Sequence, residues 1–232
     1  MNAPRTEAVD PTATGAKRLD YWWTVLFTDP LAVPLTRTLA RTNVSPNAVS
    51  VVALLLGAST GVLFALGTRG SLLAGGIVFY VAFLVDCIDG KLARLRNLHS
   101  RRGAALDHVG DIVRRTSASA GLTVWLWRTH GDATVLWGLA YMASAYLFLE
   151  LSGPEIGEQR WALLEKRSEG REGWRARLAR RRLLPNPGMP DVQALAFVVG
   201  PVSGLVVPAL GLAIALLLVG AGRHLLRSLR AP

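Results

Sequence analysis

Cysteine is almost missing from this chain: Cys87 stands alone among 232 residues. One thiol excludes an intramolecular disulfide and any metal site built from cysteines. Acidic residues are scarce too, 16 against 26 Lys and Arg, which leaves a formal net charge of +10. Residues 1–20 hold no apolar run and include Pro4, Pro11 and Gly15, so no secretory leader is expected there and membrane entry falls to internal segments. No stretch mixes charge evenly into an apolar background, as a soluble domain with 51% hydrophobic residues would.

What is there instead is alternation: long uncharged runs between dense Arg clusters. Apolar spans joined by basic cytoplasmic loops produce that pattern, and it makes a nucleic-acid partner the poorer account of the charge. The expected fold is all-α, a polytopic membrane protein with six transmembrane helices and an N-terminal interfacial amphipathic helix. Residues 1–16 are expected to be a disordered tail, and 17–44 a juxtamembrane segment with Tyr21, Trp22 and Trp23 at headgroup level. Residues 45–230 would form the six-helix domain. Its spans are placed at about 48–66, 72–95, 103–127, 133–151, 192–205 and 209–221. Ser45-Pro46 reads as a helix start, with Ser45 the cap and Pro46 in the first turn. Pro208 is expected to mark the turn before the last span.

The segment 155–190 carries nine Lys or Arg and five Glu and reads as a basic cytoplasmic loop lying on the membrane surface. Positive charge at 17–41, 95–102, this loop and the C-terminus orients the spans with those regions in the cytoplasm. The expected location is the cell (inner) membrane, multi-pass, with the site facing the cytoplasm.

Against this apolar background, four acids stand out: Asp86, Asp89, Asp107 and Asp111. Their spacings of three and four put Asp86 and Asp89 on one helix face with Gly90 and Ala93, and Asp107 and Asp111 on another with Gly103. Carboxylates on apolar helices are costly and point to a site. Four of them together cannot all stay ionised without cations between them. An all-oxygen donor set favours a hard divalent ion, Mg²⁺, Mn²⁺ or Ca²⁺. Gly90 and Ala93 clear a face for a phosphorylated group, Gly103 is expected to let the third span approach the second, and Arg94 can hold a phosphate. Arg114 and Arg115, three and four residues past Asp111, are candidates for an acceptor phosphate or for neutralising the acids.

Asp86-x2-Asp89-Gly90-x2-Ala93-Arg94-x8-Gly103-x3-Asp107-x3-Asp111 resembles the signature of the CDP-alcohol phosphotransferase (CDP-alcohol phosphatidyltransferase) family, eight identities over 26 positions. The Ser45–Ser50 run is similar to the segment that opens the family's first span. The resemblance implies an enzyme that moves a phosphoalcohol from a CDP-alcohol to a hydroxyl and releases CMP. It implies two divalent ions, Mg²⁺ or Mn²⁺, on Asp86, Asp89, Asp107 and Asp111. Asp111 would also be the general base, Gly90, Ala93 and Arg94 would lie against the CDP moiety, and the protein would be a homodimer. The preferred donor is CDP-diacylglycerol with a small polar acceptor, which is phosphatidyl transfer in phospholipid synthesis. The alternative is a CDP-linked polar head group moving to a lipid or polyol-phosphate acceptor. Where family members carry Lys or Arg after the last aspartate, this chain has Ile112. An ion-coupled transporter would instead place its acids near mid-membrane on separate helices.

Overall fold

In a computed structural model, residues 14–98, 100–152 and 174–229 are described, and among them every regular element is a helix. Helix α1, Asp29–Ala40, follows a π-turn at Thr24–Thr28. Then come α2 (Pro46–Ala65), α3 (Arg69–Leu95), α4 (Arg101–His130) and α5 (Val135–Ser152). After residues outside the description, α6 (Trp174–Arg180) leads to a broken run of α7 (Met189–Ala194), a π-turn at Leu195–Val199 and α8 (Gly200–Ser203). Helix α9, Val206–Ser228, closes the fold.

Local chemistry sets the helix starts. Ser45 Oγ accepts the Ala48 N–H at 3.2 Å with Pro46 in the first position, as its sequence position suggests. Thr68 and Ser71 form a reciprocal capping box for α3, and Ser100 Oγ accepts the Gly103 N–H at 3.0 Å to start α4. The turn before α9 does not fall at Pro208. It falls at Gly204, whose φ of +82° suits a residue without Cβ. Pro208 sits inside the first turn of α9, where its missing N–H has no helical partner to lose.

Helices α2 and α4 run parallel in close contact, while α3 lies antiparallel to α2. A Cβ on Gly61 would come within 2.3 Å of the Ser117 carbonyl, and one on Gly121 within 2.1 Å of the Gly61 carbonyl. Backbones meet directly there, the small-residue packing of membrane helices. On the other face of α2, Phe64 fills the space over Gly75 of α3. Phe79, Leu122, Tyr141, Phe197, Leu210 and Leu217 build the main core, and Ala32, Val49, Leu84, Ile88 and Leu92 a second one that seats α1 on α3. Large apolar side chains such as Leu55, Val62, Leu136 and Val219 point outward instead, more than half exposed. A surface of that kind suits lipid and not water.

All six expected spans correspond to helical segments, but among the described residues four helices are long and apolar enough to cross a membrane: α2, α3, α5 with its preceding 3₁₀ turn, and α9. Helix α4 is long enough at 30 residues, and its charges, Asp107, Asp111, Arg114 and Arg115 among them, keep it out of that set. The fifth segment is interrupted by a π-turn and by Pro201. The segment expected to be interfacial contains helix α1, with Leu31 and Leu35 exposed. Residues 1–13 of the expected tail and 155–173 of the basic loop lie outside the described residues.

Candidate active site

At one end of the helices is a cavity of about 820 Å³. Its wall is built chiefly from the last third of α3 and the first half of α4, and every residue singled out from the sequence lines it: Asp86, Asp89, Gly90, Ala93, Arg94, Asp107, Asp111, Arg114 and Arg115. The placement follows from the packing. Asp86 and Asp89 share the inner face of α3, and the parallel approach of α4 along α2 carries Asp107 to the same level.

Carboxylate oxygens of Asp86, Asp89 and Asp107 lie within 4.8 Å of one another. Asp89 is buried, Asp86 partly so, and Asp107 opens to the cavity mouth. Ser50, from the run that starts α2, donates its hydroxyl to Asp89 Oδ2 and fixes that carboxylate's orientation. Three anions this close repel strongly in a poorly hydrated site, so the set as built suits a cation. With only oxygen donors, the fitting ion is hard and divalent.

Asp111 stands apart from this trio. Its side chain is 46% exposed, and one oxygen binds Arg114. Arg114 is nearly fully buried, reaches Asp86 Oδ2 at 3.0 Å, and lies with its guanidinium carbon 5.2 Å from the Phe83 ring centroid. Of the two readings of the Arg114-Arg115 pair, this geometry gives Arg114 to the acids. Arg115, one residue on and half-buried, lines the cavity.

On the other side, the Arg94 guanidinium spreads over Gly90, about where a side chain at that position would begin, at 3.5 Å. Its Nε donates to the Gly15 carbonyl at 2.6 Å. Gly103 plays a different part from the one expected. A Cβ there would meet Asn47 of α2 at 3.2 Å, so this glycine brings α4 to the first long helix and not to α3. The reason is that α2, not α3, is the main packing partner of α4.

Sequence reasoning missed one wall. Lys17, Asp20, Tyr21 and Thr24, from the segment before α1, also line the cavity, as does the buried Gln193 of α7. Asp20 exchanges backbone bonds with the 182–184 segment: its N–H reaches the Arg182 carbonyl at 2.9 Å, and its carbonyl takes the Leu184 N–H at 3.1 Å. Asp191, outside the four long apolar helices, accepts the Trp23 N–H at 2.6 Å and the Gly188 N–H at 2.8 Å. Burial raises the Asp191 pKa above the ordinary carboxyl value, opposed by those two donors. The Asp20 and Trp23 pairings span more than 150 residues, and no local spacing announces them.

With the geometry in place, comparison with known proteins is direct. A sequence model described as CDP-alcohol phosphatidyltransferase matches residues 43–162, more than half of the chain. The chain belongs to the CDP-alcohol phosphatidyltransferase family. This is a transferase family, and with the apolar helices above it makes the chain a multi-pass membrane protein. Phosphatidylinositol phosphate synthase of Mycobacterium bovis is 33% identical over 98 residues, covering 41% of this chain and 43% of that protein. The chain thus spans about half the length, or less, of the curated relatives it matches. Crystal structures of the Mycobacterium tuberculosis phosphatidylinositol phosphate synthase share the fold. The form with CDP-DAG bound aligns with a TM-score of 0.58 at 19% identity over 84% of this chain and 92% of that one. The form in complex with manganese and citrate aligns with a TM-score of 0.52 at 20% identity over 84% and 87%.

Proposed function

We propose that this family member transfers a phosphatidyl group from CDP-diacylglycerol to the hydroxyl of a small polar acceptor, releasing CMP, as a step of phospholipid synthesis. The observation that carries the reading is the convergence of Asp86, Asp89 and Asp107 in a cavity whose adjoining face is Gly90 under Arg94. A metal-bound diphosphate needs oxygen ligands beside a cation that can meet phosphate, and Asp89 and Arg94 lie on consecutive turns of α3.

Asp86, Asp89, Asp107 and Asp111 would hold two divalent ions, Mg²⁺ or Mn²⁺, which when bound neutralise the diphosphate and make CMP a better leaving group. Manganese in a relative's structure supports the choice. The protein's own groups then divide the work. Gly90 and Ala93 let the cytidine diphosphate lie against the helix backbone. Arg94, held by the Gly15 carbonyl, steadies a phosphate. Asp111, half-exposed at the mouth, takes the proton from the acceptor hydroxyl as it attacks phosphorus. Arg114, locked between Asp86 and Asp111, keeps those carboxylates oriented and apart. Arg115 is the side chain placed to meet a phosphorylated acceptor.

Two further observations support the donor and the setting. The relatives are named for making phosphatidylinositol phosphate and one holds CDP-DAG, which makes inositol phosphates the first acceptors to try. Arg96, Arg101 and Arg102 cluster at the cavity end of the bundle, the distribution of a site that opens to the cytoplasm from the inner membrane.

The test is CMP release by purified protein with Mn²⁺ or Mg²⁺, CDP-diacylglycerol and a panel of polyols and polyol phosphates. Turnover with at least one acceptor, abolished in Asp111→Asn, is the expected result. Failure to release CMP from any CDP-alcohol, together with an ion flux in proteoliposomes, would replace this reading with a transporter.

A further inference from the structure

Beside the acid cluster is a second buried charged group of opposite balance, outside the family signature. Asp29, the first residue of α1, is 5% exposed. Its Oδ1 meets Lys91 Nζ at 2.9 Å, and its Oδ2 meets the Arg182 guanidinium, also at 2.9 Å. Lys91 is as buried as Asp29 and follows Gly90 directly on α3. Arg182 comes from the far side of the basic loop, and the same guanidinium nitrogen donates to the Lys17 carbonyl at 2.8 Å. One carboxylate therefore joins three distant parts of the chain: the helix beneath the nucleotide face, the 182–184 segment, and the stretch before α1.

That stretch is the wall the sequence did not reveal. Lys17, Asp20, Tyr21 and Thr24 line the same cavity as Gly90 and Ala93. Its attachments include the Asp20 backbone pair with 182–184, the Trp22 indole N–H on the Leu184 carbonyl at 2.5 Å, the Arg94–Gly15 bond, the Asp191–Trp23 bond and the Asp29 node. The node joins α3 and Arg182 through one carboxylate, and Arg182 in turn holds the Lys17 carbonyl. Buried ion pairs contribute little net stability compared with apolar packing, but losing the shared partner leaves two cations uncompensated and forces them apart.

We propose that Asp29 is a positioning residue for the donor: through Lys91 and Arg182 it holds residues 14–24 against the cavity, so that a nucleoside diphosphate is enclosed from both sides. This rests on the transfer activity proposed above. Asp29 touches no reacting atom, and its effect is on donor affinity and not on the chemical step.

The experiment uses the full-length protein in nanodiscs and compares Asp29→Asn with Asp29→Glu. Asp29→Asn is expected to raise KM for the CDP-alcohol on the order of tenfold with kcat and acceptor KM changed less than about threefold, the signature of lost ground-state binding. Asp29→Glu keeps the charge and returns KM to within about threefold of wild type. Hydrogen exchange at the Asp20 and Leu184 amides is expected to quicken in Asp29→Asn while the α2–α4 core stays protected. A purely structural role would instead lower protection throughout, or cut kcat without moving donor KM, and either result overturns the proposal.

Should Asp29→Asn not fold, Arg182→Gln leaves the Asp29–Lys91 pair intact and should raise donor KM by about threefold; an unchanged KM there also overturns it. If the wild type turns over no CDP-alcohol, the transfer reading falls. Exchange at Asp20 and Leu184 then still decides whether Asp29 holds the segment.

Discussion

Two charged groups lie next to each other along α3 and are built to opposite accounts. In the first, Asp86 and Asp111 hold one buried cation, Arg114, while Asp89 and Asp107 lie beside Asp86 with their charges uncompensated by it. In the second, Lys91 and Arg182 share a single carboxylate, Asp29. The first is short of positive charge, the second of negative charge. Bound divalent ions would complete the first group, whereas the cations of the second are already held by Asp29. The difference also separates residues that touch substrate from those that hold the walls. A buried pair that already balances, or nearly so, has no call for a ligand, whereas an unbalanced cluster does.

The largest expected effect lies in the acid group. Asp89→Asn and Asp111→Asn should each lower CMP release by on the order of 10³-fold, roughly 4 kcal/mol of transition-state stabilisation, measured at saturating donor. A rate within about tenfold of wild type would remove either residue from the proposed machinery. Next comes Arg114→Gln assayed in chelator, which strands Asp86 and Asp111 beside each other and should destabilise the fold by about 3–5 kcal/mol in denaturation. Added Mn²⁺ should recover much of that loss, since it supplies the missing charge.

Metal addition to the wild type separates the two groups without any assay of turnover. At about 100 times its Kd, Mn²⁺ should stabilise the protein by about 2.7 kcal/mol, read as a rise in Tm. Asp89→Asn should lose that rise and Asp29→Asn should keep it; the reverse pattern would mean that the two clusters have been assigned backwards. The smallest effect belongs to Arg115. Arg115→Ala should raise KM for a phosphorylated acceptor by about tenfold, near 1.4 kcal/mol, while an unphosphorylated polyol is used as before. Equal effects on both acceptors would leave Arg115 without a part in reading phosphate.

Helix α3 shows how much was legible along the chain. Its acids recur at three-residue spacing, Gly90 and Ala93 fall on the same face, and helical periodicity alone puts them together. The cap at Ser45 and the amphipathic helix α1 were readable for the same reason, since caps and amphipathic stripes are local. Where the reading missed, the cause was a partner distant in sequence. Gly103 was paired with the wrong helix because spacing says which face a residue occupies and not which neighbour that face meets. Pro208 was read as a turn because proline ends helices in their interior, yet it is tolerated in a first turn, and Gly204 supplied the positive φ.

By itself, then, the amino-acid order determined the helical class, the membrane setting, the acid motif and the family, all of which rest on periodicity, hydropathy and short fixed offsets. Only the tertiary structure decided that Asp86, Asp89 and Asp107 converge while Asp111 turns to Arg114, and that residues 14–24 close a wall through Asp29, Lys91 and Arg182. The physical reason is distance along the chain. A pairing such as Asp29 with Arg182 leaves no periodic trace, because it comes into being only when packed helices bring the two charges out of water together.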